Sequence, residues 1–104
     1  MNIIKTMNYN ITLPYAKIAE FCKKNHIKKL SFFGSVLRDD FNSESDLDVL
    51  VEFEPGIKMG LRFFDLEIEL SEILGRRVDL NTPGFLSPYF RDNVLTEAQA
   101  IYAA

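Results

Sequence analysis

FFGSVLRDDFNSESDLDVLV, residues 32–51, decides how this chain is read. One apolar run ends at Gly34, a Gly-Ser pair turns the chain, and an Asp-x-Asp pair, Asp46 and Asp48, leads into the next apolar run. The second run alternates cleanly over 47–53: Leu47, Val49, Val51 and Phe53 share one face, and Asp48, Leu50 and Glu52 the other. That period predicts a strand, and a weaker alternation predicts another over 29–33, so two strands flank a loop. Residues two apart on a strand have Cα atoms about 6.6 Å apart and point the same way. Asp46 and Asp48 are therefore placed to reach one shared divalent ion.

Outward from this core, Pro14 suits the first turn of a helix, and Ile18, Ala19 and Cys22 follow on one face up to about residue 26. On the other side, Pro55, Gly56 and Gly60 end the second strand. Residues 61–74 then carry Phe63, Leu66, Leu70 and Ile73 at helical spacing with Glu67, Glu69 and Glu72 interleaved, and Gly75 is a natural stop. Residues 77–81 predict a third short strand. Residues 88–104 predict a closing helix with Tyr89, Val94 and Ala98 available for packing. The order α-β-β-α-β-α is that of an α+β domain, with a small mixed sheet of about three strands flanked by helices.

The third strand supplies a further acid. Asp79 lies between Val78 and Leu80, so it faces away from their apolar side, and three carboxylates converge if this strand joins the sheet beside the Asp-x-Asp pair. Magnesium takes oxygen ligands and is commonly held by a couple of carboxylates plus substrate phosphates. Two ions held by such a triad suit in-line displacement at phosphorus. Gly34 has no Cβ to keep phosphate away, the Ser35 hydroxyl and nearby amides can donate to triphosphate oxygens, and Arg38 can clamp another.

Length and charge narrow the alternatives. A chain of 104 residues fits one domain and can bury roughly two-thirds of its unfolded surface without staples. With 47% hydrophobic and 26% charged residues the composition is globular. The net charge of -3 and scattered Lys and Arg argue against a dedicated binder of long nucleic acid. One cysteine, Cys22, excludes an internal disulfide and suits a reducing compartment. No apolar run is long enough for a membrane span and none reads as a signal peptide, so the cytoplasm is expected. Residues 1–12 are expected to form a flexible arm.

The ordered set Phe33, Gly34, Ser35, then Asp46, Leu47, Asp48 and Val49, resembles the signature of the DNA polymerase β-like nucleotidyltransferase superfamily. Arg38 after the Gly-Ser, Ser45 before the first Asp, and Asp79 as a later third acid match the small members. The stretches VEFEPG and ILGRRVDLNTPGFLSPYFRDNVL resemble the minimal nucleotidyltransferase (MNT, or MntA-like) antitoxins encoded beside HEPN-domain toxins, over about residues 28–102. Many small relatives carry Gly where this chain has Asp39. The resemblance implies a minimal nucleotidyltransferase fold. It implies ATP as substrate with magnesium held by Asp46, Asp48 and Asp79. It also implies a nucleotide site at Gly34, Ser35, Arg38 and Ser45, and transfer of AMP to a tyrosine hydroxyl of a HEPN RNase toxin, silencing it.

Other readings of the same residues stand beside this one. A lone Asp-x-Asp is usually a solvated face, and Asp79 can be a surface acid paired with Arg76 or Arg77. Asp40 can orient Arg38 or cap the turn. Ser35 as a covalent nucleophile is rejected: the only histidine, His26, precedes the strand, and there is no nucleophile elbow. Phe63, Phe64, Phe85, Tyr89 and Phe90 are expected mostly in the core, although some can form a partner patch or stack on adenine. At the level of function, the rivals are a small-molecule nucleotidyltransferase subunit and an antitoxin that acts by binding alone.

Overall fold

A computed structural model describes residues 13–38, 42 and 44–104. The expected arm at 1–12 and the turn residues Asp39 and Asp40 lie outside the described residues.

Helix α1, Tyr15–Lys24, buries Ile18, Phe21 and Cys22, the i, i+3 and i+4 positions of one face, and closes with Lys23 and Lys24, whose charge suits a helix C-terminus. Asn25 ends it: its side-chain amide donates to the Phe21 carbonyl at 2.8 Å although the residue is buried. His26 follows in the left-handed region at φ 57, which reverses the chain into strand β1, Ile27–Phe33. Strand β2, Leu47–Phe53, returns antiparallel to it, with Phe33 opposite Asp48. Helix α2, Arg62–Leu74, crosses over and ends at Gly75, whose φ of 67 favours glycine. Strand β3, Val78–Asn81, then lies parallel to β2, with Asp48 opposite Asp79.

Helix α3, Pro88–Glu97, begins with proline at its first position, where a missing N–H does no harm, and with Ser87 accepting from the Tyr89 N–H. The chain then extends into strand β4, Gln99–Ala103, antiparallel to β1. The sheet is mixed, four strands in the order β3-β2-β1-β4. Helices α1 and α2 cover one face, where Ile18, Leu30, Phe32, Leu47, Val49, Val51, Leu70 and Leu80 belong to the main core. On the opposite face a smaller cluster of Phe33, Leu50, Leu86 and Val94, with Ala98 against it, seats α3.

Two expectations are corrected. The closing helix does not run to residue 104: it stops at Glu97, and Gln99–Ala103 pairs with the otherwise open edge of β1. Alanine favours helix, but satisfying a whole row of backbone groups on a sheet edge outweighs that weak preference. Of the five aromatics expected mostly in the core, only Phe63 is buried; Phe64, Phe85, Tyr89 and Phe90 are exposed, Tyr89 almost completely at 96%. Phe63 makes edge-on contacts with Phe64 and Phe85, with ring centroids 6.2 and 5.2 Å away, so these two rings lean on the core from outside. No helix among the described residues is long and apolar enough to cross a membrane.

Candidate active site

The α3 face of the sheet is only partly covered. Leu50 is sealed beneath Leu86 and Val94, and one step back along β2, on the same face, Asp48 is left half-buried at the margin of that cover. The register puts Phe33 of β1 on one side of it and Asp79 of β3 on the other. The neighbouring parallel strands therefore carry two carboxylates side by side, close enough that a protonated Asp48 can donate to Asp79.

Beyond Phe33 the backbone turns at Gly34, with φ 75, into a 3-10 turn, Gly34–Leu37. A Cβ at Gly34 would collide with the Asp48 carboxylate. The turn thus lies directly against the acid, and the Ser35 backbone N–H donates to it. Arg38 closes the turn, its N–H donating to the Ser35 carbonyl at 2.9 Å, and its side chain is exposed. The Ser45 hydroxyl accepts from the Asn42 N–H at 3.1 Å, and the Ser45 N–H donates to the Asn42 carbonyl at 3.0 Å, so Ser45 closes the turn that delivers Asp46.

Asp48 pays for this crowding in its protonation. Burial of the charged form, then the negative charges of Asp79 and Asp46, push its carboxyl up to about 6 from an ordinary 3.8, against the pull of the Ser35 N–H. A raised carboxyl binds a proton more tightly in the folded than in the unfolded chain. Its contribution to stability is therefore complete below about pH 4 and is lost as pH rises through 6. Asp48→Asn, which keeps the shape and the acceptor for Ser35, is expected to melt a few degrees above the unsubstituted protein at pH 7.5 without metal. That is roughly 1 kcal/mol after discounting for solvent exposure, and the gap should close towards pH 4. Thermal melts across that range check it; a lower melting point for the variant at pH 7.5 would count against the repulsion described.

Asp46, the remaining acid, is held differently. Its Oδ1 accepts from the Arg77 Nε at 2.5 Å, with both side chains largely in solvent at 48% and 77% exposure. Arg77 thus pairs with Asp46 and not with Asp79, while Arg76 reaches back to the carbonyls of Asn42 and Ser45 at 2.7 and 2.8 Å. The expected convergence of three acids is therefore incomplete: among the described residues, no group of three or more His, Cys, Asp or Glu side chains is arranged to hold a metal ion. The donor set nonetheless suits a hard divalent cation. All its ligating atoms are carboxylate oxygens, a cation would relieve the repulsion that raises Asp48, and an exposed Arg-Asp pair is worth only about 0–1 kcal/mol, so Asp46 is easily exchanged.

Two pairs of residues contribute that the reading of the sequence did not assign to the site. Arg76 and Arg77 act across 31 and more residues on the loop before β2. Glu67 and Ser71 of α2 occupy the outer edge of β3, accepting from the Leu80 N–H at 2.8 Å and the Val78 N–H at 3.0 Å, which keeps the strand carrying Asp79 in register. The interleaved acids of α2 were the signal for Glu67, since a helix that crosses between parallel strands turns one side over the sheet edge.

Comparison with known proteins fits this geometry. The profile of the nucleotidyltransferase domain matches residues 16–101. A candidate protein adenylyltransferase of Methanocaldococcus jannaschii is 39% identical over 89 residues, 86% of this chain and 95% of that protein. The protein adenylyltransferase MntA of Thermococcus cleftensis is 38% identical over 71 residues, 68% of this chain and 71% of that protein. Among solved structures, a candidate minimal nucleotidyltransferase superposes with a TM-score of 0.66 at 34% identity, covering 85% of this chain and 87% of that one. A chain from a complex of a tri-AMPylated Shewanella oneidensis HEPN toxin with an MNT antitoxin superposes with a TM-score of 0.60 at 21% identity, covering 86% and 70%. At that identity, this last likeness speaks for the fold.

Proposed function

This chain belongs to the nucleotidyltransferase domain family, in its minimal branch, and from that premise we propose that it is a magnesium-dependent protein adenylyltransferase, an antitoxin that moves AMP from ATP onto a tyrosine hydroxyl of a HEPN-domain toxin. The observation that carries the reading is the Asp48–Asp79 pair set beside the Gly34–Ser35 turn. The names of the adenylyltransferase relatives and the toxin-antitoxin complex with a similar fold support the choice of acceptor class.

In this reading the triphosphate lies along the Gly34–Ser35 turn, where the missing Cβ lets phosphate approach the backbone, with Ser35 and Arg38 as donors. Ser45 acts one step removed, by shaping the turn before Asp46. Asp46, Asp48 and Asp79 would hold the magnesium. Bound there, it supplies charge neutralisation on the phosphates and makes an attacking hydroxyl more acidic. The acceptor oxygen attacks the α-phosphorus, the bond to the β-phosphate oxygen breaks, pyrophosphate leaves, and the hydroxyl proton passes to Asp79, the most exposed acid of the strand pair. Asp48, opposite Asp79 in the strand register, would share the cation with it.

The test is to incubate the chain with ATP, magnesium and a candidate HEPN toxin, and to weigh both proteins. The toxin should gain one or more AMP units mapped to a tyrosine and lose RNase activity. Loss of RNase activity without any mass gain would favour an antitoxin that acts by binding; AMP on an aminoglycoside instead would favour a small-molecule transferase.

A further inference from the structure

We infer that Arg76 is a positioning residue: through two hydrogen bonds to the loop before β2 it holds Asp46 where a cation shared with Asp48 can reach it. This rests on the metal-binding reading of the acids given above.

Asp46 lies one residue before β2, so no ladder hydrogen bond of that strand fixes it. What fixes it comes from the turn after α2. Gly75 takes the left-handed conformation, and the Arg76 N–H donates to the Ser71 carbonyl at 3.2 Å, which throws the Arg76 side chain back across the start of the sheet. Its Nη2 donates to the Asn42 carbonyl at 2.7 Å and to the Ser45 carbonyl at 2.8 Å. The Ser45 carbonyl is half of the peptide bond that leads into Asp46, so its orientation sets the Asp46 backbone. On the far side, the Leu47 N–H donates to the Arg77 carbonyl at 2.9 Å. The two peptides that bracket Asp46 are therefore both tied to Arg76–Arg77.

These hydrogen bonds differ in kind from the Arg77–Asp46 pair. Arg77 holds one oxygen of the carboxylate itself, Oδ1, and competes with an ion for it. The Arg76 bonds to the Asn42 and Ser45 carbonyls leave the Asp46 carboxylate itself open. Charge-assisted bonds at these lengths are the stronger sort, and Arg76 is less exposed than Arg77. One arginine thus places the acid while its neighbour covers it.

The experiment follows free Mn²⁺ by its electron paramagnetic resonance signal as the ion is titrated into the chain with a non-hydrolysable ATP analogue, for the unsubstituted protein, Arg76→Gln and Arg76→Lys. Residues that orient ligands typically change metal affinity tenfold or more when removed. Arg76→Gln should bind Mn²⁺ about tenfold more weakly while its metal-free melting point falls by only a few degrees, because the two carbonyls can turn to water. Arg76→Lys, which can still donate to both, should recover to within about threefold. Affinity of Arg76→Gln within twofold of the unsubstituted protein would overturn the inference, as would Arg76→Lys binding no better than Arg76→Gln. A loss that tracks the fraction unfolded would overturn it too; should Arg76→Gln not fold, the lysine variant decides alone. If the unsubstituted protein binds no Mn²⁺ with the analogue, the metal reading itself fails and this inference falls with it, an outcome distinct from a failure confined to Arg76.

Discussion

AMP transfer by the double variant Asp46→Ala, Asp48→Ala is expected to fall at least about a thousandfold, with the fold intact. A bound divalent ion supplies several kcal/mol of charge stabilisation in the transition state, and each 1.4 kcal/mol is tenfold in rate. The fold should survive because neither acid supports it. Asp46 sits outside the strand in an exposed pair with Arg77, and Asp48 is held ionised against burial and two like charges. Removing both relieves repulsion more than it removes contacts. Rates come from the mass gain of the toxin with time, and folding from a thermal melt. If the variant transfers AMP within tenfold of the unsubstituted protein, these acids do not hold the reaction's cations. If it transfers nothing yet neutralises the toxin fully, transfer is dispensable for neutralisation.

Gly34→Ala should be nearly as damaging to activity and should also weaken the fold. An alanine at φ 75 is strained by about 1–3 kcal/mol, and its Cβ would meet the Asp48 carboxylate. The acid must move, and a displacement of about 1 Å in a reacting constellation is worth roughly a hundredfold in rate. We expect a destabilisation of about 2–4 kcal/mol and a hundredfold slower transfer. A double-mutant cycle separates the two causes: in an Asp48→Ala background the carboxylate is gone, so only the backbone strain should remain and the penalty should shrink. An unchanged penalty in that background would mean that the glycine does not press on Asp48.

Much of this arrangement is legible from residue pattern, for reasons that can be named. The alternation of Leu47, Val49 and Val51 assigns Asp48 to the opposite face without any knowledge of the fold, and Val78 and Leu80 do the same for Asp79. The pairing of these two acids then needs only that β3 lie beside β2, which a helix such as α2 between two short strands makes the ordinary outcome. Strand β4 was not legible in the same way. Gln99–Ala103 is five residues with two alanines and comes one residue after a helix, so local preference continues the helix, whereas pairing with the free edge of β1 is decided by a partner about 70 positions earlier.

The contacts of Arg76 and Arg77 are hidden for the same reason. Each is a surface cation by composition, and nothing local reveals that a left-handed Gly75 aims them at the loop before β2. Exposure of Phe64, Phe85, Tyr89 and Phe90 is likewise a matter of which helix side meets the sheet. A window that contains Phe63 and Phe64 together cannot say which of the two turns inward.

A crystal structure of the chain with magnesium and a non-hydrolysable ATP analogue decides whether the three acids share a cation. Asp46 should then turn from Arg77 to the ion, and oxygens of Asp46, Asp48 and Asp79 should lie about 2.0–2.1 Å from magnesium, with the triphosphate against Gly34 and Ser35. Asp46 still paired with Arg77, no ion between Asp48 and Asp79, and the nucleotide bound elsewhere would contradict it.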